Sequence, residues 1–303
     1  KHFYFDVLSK QFGQTKASEL LLEDIAIFEP DLIIYTPLGG ALGDQLNPLP
    51  QTIRRISDER KLFLYLFDAK PKCGLEWKWL PLVNYLGIAD SISSFLYYQQ
   101  DPKIIMAYQA ASPRDFYNKN LQRDIDVSFV GSIDPLDQRL PHRHEYTKFL
   151  KDNGVNIWIG GGQRGQRLSV EEYCNILNRS KISLSFCRDG NGLPVLKQKV
   201  FEIMNCGALF LDDYGTEAAR LFEPDEDFVV FHSKEELLKL VRCYLADNEK
   251  REAIAQSGYK KATAIYSVRN VWGYVFRKLG FIVPDDDSFC LYQAKVGELC
   301  LQP

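Results

Sequence analysis

The chain has 303 residues, room for two domains of roughly 150 residues, each with its own core. A hydrophobic share of 46% and a charged share of 25% fit a globular chain, and a formal net charge of −3 gives no electrostatic case for a nucleic-acid partner. No apolar run approaches the roughly 18 residues of a membrane span, and no signal peptide is evident. The seven cysteines, odd in number and never spaced CxxC, read as reduced thiols of a cytoplasmic protein.

In chain order, TKASELLLEDIAIFEP (15–30) has helical periodicity and DLIIYTP reads as a strand. PLGGALGD follows as a glycine-rich turn, open to a ligand or the other domain, or simply a flexible loop. A short helix around residues 51–57 leads to the strand KLFLYLFD, which ends at Asp68. A carboxylate there serves either as a general base or as the cap of the next helix. GLEWKWLPLVNYLG is helical or irregular, and SISSFLY and KIIMAYQ complete the alternation. AASPRDFYNKNLQRD (110–124), polar and carrying a proline, reads as a linker.

A second alternating series follows. DIDVSFVG is a strand ending in Gly131 and Ser132, and LPHRHEYTKFLKDNG is a helix with a glycine stop. His142 and His144 cannot share one helical face, which argues against a zinc pair. The strand VNIWIGGG runs into glycines, and LSVEEYCNILNRS is a helix opened by the capping box Ser169 and Glu172. KISLSF, CRDGNGLP, VLKQKVFEIMNC and ALFLDD form a strand, loop, helix and strand, with Pro194 placed in the first helical turn and Gly207 as the C-terminal cap. A short helix TEAARLF, a strand DFVVF, a helix with a second capping box (Ser233 and Glu236), two closing helices and an unpatterned tail from residue 281 complete the chain. Strands alternating with helices predict parallel, doubly wound sheets. Neither GxGxxG nor GxxxxGK[ST] is present, which weakens dehydrogenase and P-loop readings.

Ligands of open α/β sheets bind at the carboxyl ends of the strands. Lys197 and Lys199 there, in the first turns of the helix after KISLSF, are ill placed for the macrodipole but well placed for an anion such as phosphate. Glu202, three residues after Lys199, shares its face and can accept hydrogen bonds from sugar hydroxyls. Phosphate beside hydroxyls describes a nucleotide; the same spacing also serves an ordinary solvated Lys199–Glu202 pair. Cys187, close by, reads as a small half-buried filler.

DIDVSFVGS, LSVEEYCNILNRSKISLSF, KQKVFEIMNCGALFLDD and LFEPDEDFVVFHSKEELLKLVRCYLADNEKREAIAQSGYKKA occur in an order and spacing by which residues 124–269 resemble the C-terminal domain of GT-B glycosyltransferases, in particular the CgeB-like spore-protein group. The resemblance implies an α/β GT-B fold, two Rossmann-like domains facing each other across a cleft. Residues 1–121 would be the acceptor-side domain, 122–268 the nucleotide-sugar-binding domain, and 269–303 a helix and tail free to return to the first. It implies that Glu202 holds the donor ribose and that Lys199 faces the diphosphate. Gly131 and Ser132 lie along the phosphates, followed by the basic Arg139. Gly160 and Gly161 end the strand beside the base, and Arg188 and Asp189 are candidates in the sugar-side loop. Many relatives carry a second glutamate eight residues before Glu202, where this chain has Pro194, so retention or inversion is left open.

The activity so implied is sugar transfer from a nucleoside-diphosphate sugar to an acceptor hydroxyl, with no cofactor beyond that donor. Lysine, arginine and helix N-termini can stabilise the leaving group in place of a metal, and no DxD motif is present, although Asp212-Asp213 ends a strand. Asp68 is the candidate base of an inverting reaction; a glycan, a lipid-linked group and a protein all stand open as acceptor. A nucleotide-sugar or glycan binding module without catalysis is the rival that Pro194 and the lack of a convincing base favour. A two-domain periplasmic-type binding protein would instead show a signal sequence and several hinge crossings.

Overall fold

The computed structural model describes residues 1–38, 45–67, 78–98, 101–133, 141–161, 167–188 and 192–300. Asp68, Arg139, Asp189 and the glycines of PLGGALGD lie outside these residues. Contacts divide the chain into a first unit of residues 1–107 with 278–280 and a second of residues 108–277 with 281–303.

The first unit carries a parallel sheet in the order β1 (Ile33–Tyr35), β2 (Leu62–Leu66), β3 (Tyr85–Ile88), β4 (Ile104–Met106). All five residues of β2 are buried. A strand covered on both faces has no solvent side to mark with polar residues, hence the unbroken LFLYL. The helices are α1 (Phe5–Phe12), α2 (Gln14–Phe28), α3 (Pro50–Glu59) and α4 (Ile92–Tyr98). Pro50 stands in the first turn of α3, which buries Ile53 and Ile56. β3 begins inside the stretch expected to be helical or irregular and runs one residue past its end. Its Gly87 conceals the strand pattern, yet a Cβ there would come within 2.4 Å of the Phe63 ring, so close packing against β2 requires the glycine.

The second unit carries a parallel sheet in the order β6 (Ile157–Gly161), β5 (Ile125–Gly131), β7 (Ser180–Leu184), β8 (Leu209–Asp213), β9 (Val229–Phe231). Its helices are α5 (Pro141–Asp152), α6 (Val170–Arg179), α7 (Lys199–Asn205), α8 (Lys234–Ala246), α9 (Asn248–Ala264), α10 (Val268–Lys278) and α11 (Asp287–Cys300). Val127, Phe129, Ile182, Leu184, Leu209, Leu211, Val229 and Phe231 of the strands pack with Leu237 and Val241 of α8 as the core. The capping box at Ser169 and Glu172 forms in full. At α8, Ser233 accepts from the Glu236 N–H at 3.1 Å, but the Glu236 carboxylate reaches the N–H of His232, one residue outside the expected box. Among the described residues no helix is long and apolar enough to cross a membrane.

Three further expectations are corrected. The helix expected from Val195 opens only at Lys199, because Pro194 pairs with Arg188 in an antiparallel bridge and the Val195 N–H donates to the Cys187 carbonyl at 2.9 Å. Its C-terminal end is as expected, with Gly207 at φ +73°. The tail expected to be unpatterned holds α11, whose Phe289, Tyr292, Val296 and Leu299 are buried at helical spacing. The segment expected to be a linker is clamped to the second unit. Phe116 is buried and the Lys119 N–H donates to the Asn178 side chain at 2.6 Å. The Arg123 guanidinium donates to the carbonyls of Leu177, Asn178 and Ser180 at the end of α6, and to those of Cys206 and Gly207 at the end of α7.

Candidate functional site

The last rungs of β5 and β6 pair Val130 with Gly160 and Gly131 with Gly161. A Cβ at Gly160 would lie 2.6 Å from the Trp158 ring; at Gly161, whose φ is +82°, it would lie 2.9 Å from Val130. A Cβ at Gly131 would lie 3.1 Å from Lys199 Nζ, so this glycine leaves room for the ammonium at the end of β5. Lys199, the first residue of α7, donates from Nζ to the Val130 carbonyl and sits 5.1 Å from the centroid of the Phe129 ring. Burial, and then the Arg143 guanidinium, pull this ammonium below the ordinary lysine range.

Glu202 lies three residues further along α7 and is half-buried. Its carboxylate accepts a hydrogen bond from the Tyr173 hydroxyl at 2.8 Å. Burial raises the Glu202 carboxyl above its ordinary value, against the opposing pull of that hydrogen bond and of Lys199. A cation and a half-buried carboxylate on one turn of helix can take an anionic group and neighbouring hydroxyls.

Of the other expected residues, Ser132 is exposed just beyond β5, and Lys197 precedes the N-cap Gln198, so it lies outside the helix whose first turns it was expected to join. Arg188 is turned to its own loop. It donates from Nε to Asp213 and from its terminal nitrogens to the carbonyls of Gly192 and Tyr214, with its guanidinium 5.1 Å from the Tyr214 ring centroid. Asp212, fully buried, accepts from the Cys187 N–H at 3.2 Å and the Thr216 hydroxyl at 2.6 Å. Burial, then Asp213, push its carboxyl up to about 7. Burial also pushes the Cys187 thiol up, so it is an inert filler. Among the described residues no group of three or more His, Cys, Asp or Glu side chains could hold a metal ion. Asp68, Arg139 and Asp189 fall outside the described residues.

Sequence reasoning missed two residues. Tyr173 leaves a faint trace, an i,i+4 pairing with the buried Leu177 on the inward face of α6. Arg143 sits between the two histidines that were weighed only as metal ligands; it donates to the Phe186 carbonyl at 3.0 Å. His142 packs edge-on to the Phe186 ring at 5.3 Å, and burial lowers its proton affinity.

Residues 119–276 match the family described as Glycosyl transferase-like. No curated protein sequence matches the chain significantly. Among solved structures, Anabaena HepE in complex with UDP is similar at 14% identity and a TM-score of 0.57, over 89% of this chain and 84% of that one. Sucrose-phosphate synthase from Thermosynechococcus elongatus is similar at 13% identity and 0.59, over 88% and 78%. An alpha-glucosyltransferase in complex with UDP-glucose and DNA containing an abasic site is similar at 11% identity and 0.65, over 88% and 84%. At such identities the likeness is one of fold. Two α/β units, each on its own parallel sheet, match the architecture of GT-B glycosyltransferases. The family match covers just over half of the chain, and the chain belongs to the glycosyl transferase-like family.

Proposed function

We propose that the chain moves a sugar from a nucleoside-diphosphate sugar to an acceptor hydroxyl, without a bound metal. One observation carries this reading: the Lys199 ammonium stands at the end of β5 beside Gly131, with the Glu202 carboxylate one turn further along the same helix. Departure of a nucleoside diphosphate develops negative charge, which Lys199 is placed to stabilise. Glu202 accepts from the ribose hydroxyls, and Gly131, Ser132, Gly160 and Gly161 line the phosphate and base side. Arg188 shapes the sugar-side loop through Asp213. Arg139, Asp189 and Lys197 complete the proposed donor set, and Asp68 is the proposed base, with the first domain on the acceptor side. CgeB-like proteins are the proposed subgroup. HepE was solved with UDP and with UDP-glucose, which makes uridine diphosphate the first donor nucleotide to try.

Calorimetric titration with UDP and 2′-deoxy-UDP tests the reading. Each charge-assisted bond to a ribose hydroxyl is worth roughly 1.5–3 kcal/mol, so Glu202→Gln should weaken UDP binding about ten-fold or more. If the wild type does not distinguish the two nucleotides and the variant binds both equally well, Glu202 is an ordinary partner of Lys199. Transfer or donor hydrolysis that survives EDTA supports the metal-free chemistry; UDP-glucose binding without either supports the catalytically silent module.

A further inference from the structure

We propose that Tyr173 is a positioning residue of the ribose site, holding the Glu202 carboxylate ionised and aimed at the donor. The inference rests on the reading of Glu202 as ribose ligand. The Tyr173 hydroxyl donates to Glu202 Oε2 at 2.8 Å, which leaves Oε1 to accept from a ligand. A neutral carboxylic acid cannot accept from two hydroxyls as strongly as a carboxylate does. Burial works toward the neutral form of Glu202, and the Tyr173 hydrogen bond is the largest effect working against it, ahead of Lys199. Lys199 comes from the glutamate's own helix and Tyr173 from α6. Cys206, at the helix end, also faces Glu202; its thiol is pushed up, first by its hydrogen bond with Cys174, and stays neutral.

The hydroxyl is fixed in place by rigid parts. Tyr173 follows directly on the capping box that locks the start of α6, and its ring meets Phe116 edge-on at 5.3 Å. Burial, and then the Glu202 charge, raise the phenol well above its ordinary value, so it remains a donor wherever the glutamate is ionised. The helical period places this tyrosine on the inward face of α6, and the pairing across α6 and α7 gives it a partner.

Tyr173→Phe keeps the ring against Phe116 and removes only the donor. The expected result is a three- to ten-fold loss of UDP affinity, the equivalent of roughly one ordinary hydrogen bond, because the tyrosine acts on the ligand only through Glu202. The preference for UDP over 2′-deoxy-UDP should fall toward one. Without its donor Glu202 protonates more readily, so the pH below which UDP affinity is lost should move upward. In a Glu202→Ala background the same change should have no effect, whereas a merely structural tyrosine would cost the same in both backgrounds. Glu202→Asp, which keeps the charge but withdraws it from Tyr173, should reproduce the loss of ribose preference with α6 untouched. If the wild type prefers UDP and Tyr173→Phe keeps that preference and the same pH midpoint, Tyr173 is not a positioning residue. If the wild type shows no preference, the ribose reading fails, and this inference with it.

Discussion

Lys199→Met separates a binding cation from a structural one. In the folded chain the ammonium is desolvated, at a cost of several kcal/mol for an ion in a protein interior. Against this stand its hydrogen bond to the Val130 carbonyl, about 1.5–3 kcal/mol for a charged donor, and its contact with the Phe129 ring, about 0.5–2 kcal/mol. These nearly cancel, and methionine fills a similar volume without the charge. The variant should therefore melt within a few degrees of the wild type or above it, since 1 kcal/mol moves the midpoint of such a domain by about 2–4 °C. The lysine's folded pKa is lowered, so the unfolded chain holds the proton to higher pH. Between that lowered value and the ordinary 10.5 the unfolded state binds more protons, and wild-type stability should rise with pH relative to the variant. UDP affinity should fall about 10- to 100-fold, the equivalent of losing one charge-assisted contact to phosphate. Thermal melts at pH 7 and 9.5 together with UDP titrations provide both readouts. A variant that melts many degrees lower yet binds UDP undiminished would show that Lys199 is only a strut for the end of β5.

Asp212→Asn should remove a pH-dependent liability. The carboxyl is raised from 3.8 to about 7 in the fold, so between those values the folded state holds a proton that the unfolded state has lost, and stability falls as pH rises. Denaturant unfolding at pH 5 and pH 8 should show the wild type losing roughly 2–3 kcal/mol between the two, about 1.4 kcal/mol for each pH unit up to 7, and the variant losing little; a flat wild-type profile refutes the assignment. Asp68→Asn should leave UDP affinity intact and lower transfer by roughly 10²–10⁴-fold if the residue is the base. A lower melting temperature with little change in turnover would identify a helix cap.

The parallel sheets and the capped helices follow from the residues themselves, because they rest on local rules. β2 is a short apolar run covered on both faces, and Ser169 with Glu172 satisfies helix donors within four residues. What escapes such reading depends on partners distant in sequence. Gly87 sits in a strand only because Phe63 lies beside it, and Pro194 leaves the helix because Arg188 takes its backbone into a bridge. The candidate site divides in the same way. Gly131, Lys199 and Glu202 stand at strand ends and on a helix start, where the α/β pattern directs attention. Tyr173 and Arg143 reach the same corner from α6 and α5, across separations that no spacing rule spans.

Arg123 has a consequence for how such chains can be recombined. One guanidinium closes the carbonyl ends of two helices, α6 and α7, and Gly207 leaves the space for it, since a Cβ there would lie 2.9 Å from Nη2. The segment leading into β5 is therefore inherited with the second unit. A chimera that joins a foreign first domain at Asp124 would import an unrelated residue at this position. The helices bearing Tyr173 and Glu202 would then end with carbonyls lacking their donor. Exchange of domains is best cut upstream of Phe116, ahead of the buried anchor and the clamp together.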